Sequence, residues 1–194
     1  MKTALAVALF VSLAGCHNQP APKTPASATA TAPAATPVAD ATQYTRQLST
    51  GYSVVGNLRG IEAQLVAFIE DASRAVDKDT WFNFDRLNFK FGSSELEMAN
   101  SSAQLTNIAE IMKAFPAVKL KVGGYTDSVG KADANMKLSA ARAKTVSDAL
   151  VAMGVGADRL VPEGYGADHP ECPANDTEEC RAKNRRIAVR VTAK

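Results

Sequence analysis

Residues 118–153, with the sequence VKLKVGGYTDSVGKADANMKLSAARAKTVSDALVAM, decide the fold of this 194-residue chain. Between Val118 and Val122 apolar and charged side chains alternate, which predicts a strand that leads into two glycines. From Ala132 to Met153 the apolar spacing is helical, and Gly154 follows as a stop signal. The core side of this helix is predicted to carry Met136, Ala140, Ala143, Val146, Leu150 and Met153.

The flanking sequence continues this alternation of strands and helices. Shorter segments that alternate with a period of two predict further strands over residues 81–84, 87–91 and 186–191, and residues 159–165 can also form a strand. A helical pattern runs from Glu97 to Phe115 and ends at Pro116. Residues 61–69 favour a short amphipathic helix, with a strand as the alternative. Together these elements predict a two-layer α/β (α+β) sandwich.

The composition excludes several classes of protein. With 22 Lys and Arg residues against 20 Asp and Glu, the net charge is +2, which is too small for a dedicated nucleic-acid binder. A hydrophobic content of 46% excludes disorder of the whole chain. Only residues 20–42 are compositionally biased: they are mostly Ala, Thr and Pro and contain five of the nine prolines, which predicts a tether reaching at most about 70 Å.

Signals of catalysis are weak. The two histidines, His17 and His169, lie in no zinc-binding pattern, and the chain has no GxSxG, Walker or GxGxxG motif. We therefore expect no enzyme activity, no metal and no cofactor.

The first 15 residues, MKTALAVALFVSLAG, have one charge, a short apolar run and then small residues, as a secretory signal peptide has. The run is too short for a transmembrane helix. Its end, Leu13-Ala14-Gly15-Cys16, resembles the lipobox of bacterial lipoproteins, in which the cysteine is lipidated. His17 rather than Asp after that cysteine points to the outer membrane by analogy with sorting in such lipoproteins.

Cysteine counting agrees with lipidation. The chain has three cysteines, and using Cys16 for lipid leaves Cys172 and Cys180 as a pair that an oxidising compartment can join in a disulfide. A free thiol in a secreted protein is the alternative.

A charged pair lies at the end of the central strand and on the helix that follows. Asp127 is on the loop, and positions Asn135, Leu138 and Arg142 fall within about 60° of one another on the helix. A carboxylate and a guanidinium so placed can bind the two charges of a zwitterion. From the residues alone, an ordinary salt bridge or two solvated charges is the stronger interpretation.

Four segments in order, GYTDSVG, NMKLSAARAKTVSDAL, GVGADRLVPEGYG and NDTEECRAKNRRIAV, resemble the C-terminal peptidoglycan-binding domain of the OmpA family, shared with Pal lipoproteins and flagellar stator proteins. The resemblance covers residues 88–191. Residues 61–89 also look like the lead-in of a subgroup of OmpA-like outer-membrane lipoproteins.

The resemblance implies a βαβαβ-type sandwich whose groove binds the diaminopimelate of the peptidoglycan stem peptide. By this resemblance, Asp127 corresponds to the family residue that holds the ammonium group of diaminopimelate, and Arg142 corresponds to the family residue that holds its carboxylate. Thr126, Asn135 and Leu138 match surrounding groove positions, and Phe91 matches a wall from the first strand.

The chain also departs from the family pattern. The family often has FDFDS where this chain has Phe89-Lys90-Phe91-Gly92-Ser93, and His where it has Tyr125. Cys180 replaces a common glycine. The basic run from Arg181 to Arg190 is not interpreted as a nucleic-acid patch, because acidic residues precede it and no aromatic residues interleave it. The resemblance implies that Asn184 and Arg186 are mainly structural, with an electrostatic contribution to the groove as the alternative.

These observations predict an outer-membrane lipoprotein that faces the periplasm and binds peptidoglycan non-covalently. The predicted organisation is a signal peptide (1–15), a lipidated Cys16 with a tether (16–42), a lead-in with a short helix (43–80), and the peptidoglycan-binding domain (81–194). The alternative is an envelope signalling or assembly protein in which residues 43–80 bind a periplasmic protein and the domain only localises it.

Overall fold

The structure is a computed structural model that describes residues 42–194. The signal peptide, Cys16 and all but the last residue of the tether lie outside the described residues. Six strands and four helices follow one another: β1 Gln43–Gln47, β2 Ser53–Asn57, α1 Ile61–Glu70, β3 Phe82–Asn83, α2 Met98–Ala114, β4 Lys119–Gly124, α3 Ala132–Ala152, β5 Leu160–Gly164, α4 Glu178–Asn184 and β6 Ile187–Ala193. A short 3₁₀ turn, Ala157–Arg159, precedes β5.

Four of the strands form one mixed sheet in the order β3-β6-β4-β5. The pair β4 and β5 is parallel, with Leu120 opposite Leu160, and β6 runs antiparallel to both β4 and β3. The predicted α/β sandwich with a βαβαβ core is therefore confirmed, and β6 completes its sheet at the centre. Strands β1 and β2 make a separate antiparallel hairpin.

Alternate residues of the central strand β4 lie on opposite faces of the sheet. Leu120 and Val122 are fully buried in the core that α2 and α3 cover, together with Val189 and Val191 of β6. The intervening residues, Lys121 and Gly123, belong to the other face. This division decides which side chains can reach solvent on the sheet.

Helix α1 and its neighbours complete the same core. Ile61, Leu65 and Phe68 are almost wholly buried, which confirms the predicted short helix and adds it to the hydrophobic core of the sandwich. Glu62 is also fully buried; it forms an ion pair with Arg86 and accepts a hydrogen bond from Asn107 Nδ2 at 3.1 Å.

Two local predictions are wrong. Residues 87–91 form no strand of the sheet: Phe89 makes a single bridge to Leu96 within a tight turn, because the backbone reverses at Gly92 with φ +62°. On α3, Met136 and Ala140 are exposed, and the buried side of the first turns is instead Ser139 and Arg142.

The disulfide between Cys172 and Cys180 is present, with the two Cα atoms 5.2 Å apart. It ties the loop before α4 to the helix itself. Thr177 caps this helix, since its Oγ1 accepts a hydrogen bond from the backbone N–H of Cys180 at 3.2 Å.

Candidate functional site

Asp127 lies three residues after β4, in the loop that leads to α3. Its Oδ1 accepts a hydrogen bond from the backbone N–H of Val129 at 3.0 Å, and its Oδ2 accepts one from Arg185 at 2.8 Å. Only 13% of its side chain is exposed. The carboxylate is therefore held in a fixed position at the edge of the protein.

Asn135 on the first turn of α3 braces the same loop. Its Nδ2 donates to the backbone carbonyls of Asp127 at 3.2 Å and of Val129 at 3.0 Å. The structure thus brings Asn135 to Asp127 but gives it a structural contact with the backbone. Leu138, one turn further on, is half-buried.

Close packing of α3 on the sheet places this loop and helix together. A Cβ atom built at Gly124 would lie 2.1 Å from the backbone oxygen of Ser139, a distance that no real Cβ atom occupies. Ser139 Oγ also accepts a hydrogen bond from the N–H of Gly166 at 2.9 Å, which joins the helix to the loop after β5. Glycine at position 124 is therefore required for the helix to approach β4.

Arg142 faces this loop from α3 and is buried, with 9% of its surface exposed. Its Nε donates to the backbone carbonyl of Ser93 at 2.9 Å, and its guanidinium lies 5.0 Å from the ring centre of Phe89. Burial lowers the pKa of Arg142, and the nearby positive charge of Arg185 lowers it further.

The simple salt bridge between Asp127 and Arg142 is not formed. Asp127 is paired with Arg185 instead, and across residues 42–194 Arg142 takes part in no ion pair within 4.0 Å. Within these residues, Nε is the only side-chain atom of Arg142 that forms a hydrogen bond. The terminal N–H groups of Arg142 are therefore available to a ligand.

Arg185 is the site residue that the sequence interpretation missed. It follows α4, and besides Asp127 it contacts Glu178 of that helix. The hydrogen bond to Asp127 raises the pKa of Arg185. Its signal in the sequence is the basic run from Arg181 to Arg190, in which the resemblance gives roles only to Asn184 and Arg186.

Thr126 and Phe91 occupy contrasting positions. Thr126 is 5% exposed, its backbone N–H donates to the carbonyl of Gly166 at 2.7 Å, and its Oγ1 is buried without a partner among the described residues. Phe91 is fully exposed at the tip of the turn around Gly92, and the ring that covers Arg142 is that of Phe89. A wall formed by Phe91 stays a prediction.

A small cavity of about 50 Å³ lies beside Arg142 and Arg185, with room for about one or two water molecules. It is lined by Phe84, Leu87, Phe89, Arg142, Arg185, Arg186 and Ile187. Three guanidinium groups therefore line a narrow groove, and the carboxylate of Asp127 lies next to it as the ion-pair partner of Arg185. Such a set can accept a ligand that carries both a carboxylate and an ammonium group.

Within residues 42–194, no group of three or more His, Cys, Asp or Glu side chains is placed to hold a metal ion. None of the helices in this range combines the length and the apolar character needed to span a membrane.

The sequence of this chain is similar to that of a known protein family. The sequence model of the OmpA family matches residues 88–185 of this chain. The chain belongs to the OmpA family.

Two curated relatives and one solved structure illustrate this OmpA-family membership. The protein named Probable lipoprotein YiaD from Escherichia coli is 40% identical over 103 residues, which is 53% of this chain and 47% of that protein. Peptidoglycan-binding protein ArfA from Mycobacterium tuberculosis is 39% identical over 100 residues, which is 51% of this chain and 30% of that protein. The chain thus spans less than half the length of these two relatives.

Among solved structures, the peptidoglycan-associated lipoprotein from Burkholderia pseudomallei has the same fold, with a TM-score of 0.51 and 27% identity. The similarity covers 56% of this chain and 91% of that one. An OmpA-type domain therefore accounts for the larger part of residues 42–194.

Proposed function

We propose that this protein binds peptidoglycan non-covalently through the diaminopimelate of the stem peptide and links the outer membrane to the cell wall. The observation that carries the proposal is the buried guanidinium of Arg142, which has no carboxylate partner among residues 42–194 and lies beside the fixed carboxylate of Asp127. A buried charge without a partner is costly unless a ligand neutralises it. The relatives named for peptidoglycan support the choice of polymer.

The free end of diaminopimelate has one ammonium and one carboxylate group on the same carbon atom. The carboxylate is bound by the terminal N–H groups of Arg142, where a planar guanidinium can hold both oxygens. The ammonium group is bound by Asp127, and it competes there with Arg185. Because Glu178 is a second partner of Arg185, that arginine can leave Asp127 without losing every ionic contact.

The anchoring part of the proposal concerns residues outside the described range. Lipid on Cys16 holds the protein in the outer membrane, and residues 17–42 act as the tether to the periplasmic domain. Each buried CH₂ group of an acyl chain contributes about 0.8 kcal/mol, which makes anchoring by several chains stable. Many copies bound to one polymer hold the wall by avidity even when each contact is weak.

Co-sedimentation with diaminopimelate-type sacculi tests the wall-binding proposal. The domain from Gln43 onward is expected to pellet with sacculi, and Asp127→Ala and Arg142→Ala variants are expected to stay in solution. Loss of one charge-assisted contact of about 1.5–3 kcal/mol weakens binding by roughly tenfold to a hundredfold.

Matched controls come from an exposed ion pair on the same helix. Lys144 and Asp148 are 67% and 63% exposed, so Lys144→Ala and Asp148→Ala remove the same kinds of charge away from the groove and should pellet as wild type does. Circular dichroism establishes that every variant is folded. If the wild-type domain itself stays in solution, the proposal is wrong.

We expect no cleavage of the wall. Release of soluble muropeptides from sacculi by the purified domain would contradict this and would place the protein among the cell-wall hydrolases.

The alternative role, capture of a periplasmic protein by residues 43–80, is favoured by two exposed apolar side chains near β2. Val55 is 42% exposed and Leu58 is 52% exposed. Deleting the whole segment would remove the core residues of α1, so Val55→Asp and Leu58→Asp are the suitable variants. Loss of a co-purified envelope protein with retained sacculus binding would favour the alternative.

A further inference from the structure

A second, larger cleft of about 420 Å³ lies on the sheet face opposite α2 and α3. Its volume is within the range of small-molecule sites. The lining residues come from the segment before β3, from β3, from β6 and the residue just before it, and from the loops that follow β4 and β5: Lys78, Asp79, Trp81, Asn83, Tyr125, Tyr165, His169, Glu171, Arg186 and Arg190. None of the residues that carry the wall-binding proposal, Asp127 and Arg142, is among them.

Three aromatic rings form the apolar part of this cleft. Tyr125 and Tyr165 are stacked, with ring centres 5.0 Å apart and planes 11° from parallel. Trp81 lies edge-on to both, at 6.1 Å from Tyr125 and 5.7 Å from Tyr165. Trp81 and Tyr165 are partly exposed, so part of this aromatic surface is open to solvent.

A glycine in β4 makes room for the rings. A Cβ atom built at Gly123 would lie 2.8 Å from Cζ3 of Trp81 and 3.1 Å from the ring of Tyr125. Position 123 therefore has to lack a side chain if both rings are to lie against the sheet.

Planar polar groups surround the rings. The guanidinium of Arg186 lies 3.9 Å from the ring centre of Tyr125, and that of Arg190 lies 5.5 Å from Trp81. The Nε of Arg190 is buried and has no hydrogen-bond partner among the described residues. Glu171 contacts both Asn83 and Arg186, the latter at 3.3 Å. The cleft thus offers donors and acceptors around an apolar surface.

The charges that line the cleft are nearly balanced. Lys78, Arg186 and Arg190 are positive, whereas Asp79 and Glu171 are negative. An anionic ligand such as a nucleotide would need a larger excess of positive charge, and a wholly apolar ligand would leave these groups unpaired. A neutral ligand with one apolar face and many hydroxyl or amide groups fits both parts of the lining.

We propose that this cleft binds an N-acetylated hexosamine of a β-1,4-linked glycan. The C–H face of the sugar ring packs on the aromatic surface, and its hydroxyl and acetamido groups hydrogen-bond to the surrounding Asn, Glu and Arg side chains. Arg186 lines both this cleft and the small cavity beside Arg142, so the two sites adjoin. The glycan strand of peptidoglycan carries both the sugar and the stem peptide, and assigning the sugar to that polymer rests on the proposed function.

Tryptophan fluorescence tests the proposal directly, because Trp81 is the only tryptophan in the chain and lies in the cleft. The probe is triacetylchitotriose, which contains the sugar and no stem peptide. We expect a saturable change in emission with the wild-type domain, and a Kd at least about tenfold higher for Tyr165→Ala and for Asn83→Ala. Asn83 is an exposed side chain, so its variant keeps the test valid if Tyr165→Ala fails to fold.

The matched control is Val161→Ala. Val161 lies on β5, is 52% exposed and is outside the cleft, so its variant should bind as wild type does. No spectral response to the trisaccharide, or an equal Kd for wild type, Tyr165→Ala and Asn83→Ala, would overturn the proposal.

Two further arms separate this site from the wall-binding proposal and identify the source of the sugar. Glycan strands freed of stem peptides should compete with the trisaccharide; if they fail to compete while the trisaccharide binds, the assignment to peptidoglycan is wrong. The titration contains no diaminopimelate, so sacculus binding without a sugar response overturns only the sugar site. A sugar response without an effect of Asp127→Ala on sedimentation overturns only the diaminopimelate groove.

Discussion

Arg185 donates a hydrogen bond to Asp127 at 2.8 Å across 58 residues of sequence, and this pair occupies the position where a salt bridge to Arg142 was the simplest expectation. The antiparallel pairing of β6 with β4 places the end of α4 beside the loop after β4. The carboxylate is thereby fixed by one arginine, while a second arginine remains without an acidic partner among residues 42–194. This division of roles leads to the first prediction.

Replacing Arg185 with alanine should lower the free energy of unfolding by about 1 kcal/mol, since Asp127 loses a charge-assisted hydrogen bond that is partly exposed to solvent. Lys144→Ala, which breaks an exposed pair on α3, should change it by less than about 0.5 kcal/mol. Urea unfolding at neutral pH measures both. Equal losses for the two variants would show that the Arg185 contact adds nothing beyond a surface pair.

Gly124→Ala should be strongly destabilising. The new Cβ atom would meet the backbone oxygen of Ser139, and a helix backbone cannot turn aside as a flexible side chain can. Overpacking of this kind costs about 1–3 kcal/mol or more. Lys119→Ala, at an exposed position of the same strand, is the control. Thermal unfolding that is unchanged by Gly124→Ala would mean that α3 lies further from β4 than the structure places it.

The buried carboxylate of Glu62 should contribute more to the free energy of unfolding than an exposed carboxylate on the same helix does. Glu62→Ala leaves Arg86 and Asn107 without their shared partner, and breaking a buried pair costs about 3–5 kcal/mol. We expect roughly 2–3 kcal/mol here, because Arg86 is 40% exposed and can regain contact with water. Glu70→Ala, which breaks the exposed pair with Arg46, is the matched control for denaturant unfolding. A loss no greater than that control would contradict the role of Glu62.

The free energy of unfolding should fall as the pH is lowered, and part of this fall should come from protonation of the Glu163 carboxylate. The hydrogen bond from Lys121, helped by one from Tyr165 at 2.9 Å, holds the pKa of Glu163 below its usual value. A folded-state pKa below that of the unfolded chain stabilises the protein above about pH 4.5, and this contribution is lost as the pH falls through the folded value. Because Glu163 is 43% exposed, the effect is about 0–1 kcal/mol.

The measurement for Glu163 is the difference in unfolding free energy between wild type and Glu163→Gln at pH 7 and at pH 3. The difference should shrink at the lower pH. A difference that stays constant over this range would show that the carboxylate charge has no part in it.

Removal of the disulfide should lower the free energy of unfolding by about 2–3 kcal/mol in the chain-entropy account, since Cys172 and Cys180 close a short loop. A Cys172→Ser, Cys180→Ser double variant should match reduced wild type in urea unfolding. Unequal midpoints for these two forms would assign part of the effect to the serine side chains rather than to the cross-link.

Long elements with a clear period could be predicted from the sequence, and short or polar ones could not. Helices α2 and α3 and strands β4, β5 and β6 were found within a few residues of their observed ends. The apolar spacing of α2, α3, β4 and β6 has a clear period in the sequence, although two residues of the stripe predicted for α3, Met136 and Ala140, are exposed. The hairpin β1–β2 was missed because most of its residues are exposed and its two sequences, QYTRQ and SVVGN, show no alternation of apolar and polar residues. Helix α4 was missed because its seven residues are mostly charged.

The candidate site divides in the same way. The resemblance to the OmpA family singled out Asp127 and Arg142, and the family is confirmed. Arg185 and the ring of Phe89 reach the groove through sheet pairing and a tight turn, neither of which leaves a periodic signal. Phe89 lies in a segment that was predicted to be a strand, and Arg185 lies in the basic run from Arg181 to Arg190.

The sequence by itself determined the family and the longer strands and helices of the sandwich, because hydrophobic periodicity and ordered motifs are local properties of the chain. Only the tertiary structure decided that Asp127 pairs with Arg185, that Arg142 is buried without an acidic partner in the described range, and that Trp81, Tyr125 and Tyr165 share one cleft. These contacts join residues that are far apart in the chain. They depend on the strand order β3-β6-β4-β5, which places the ends of different strands side by side.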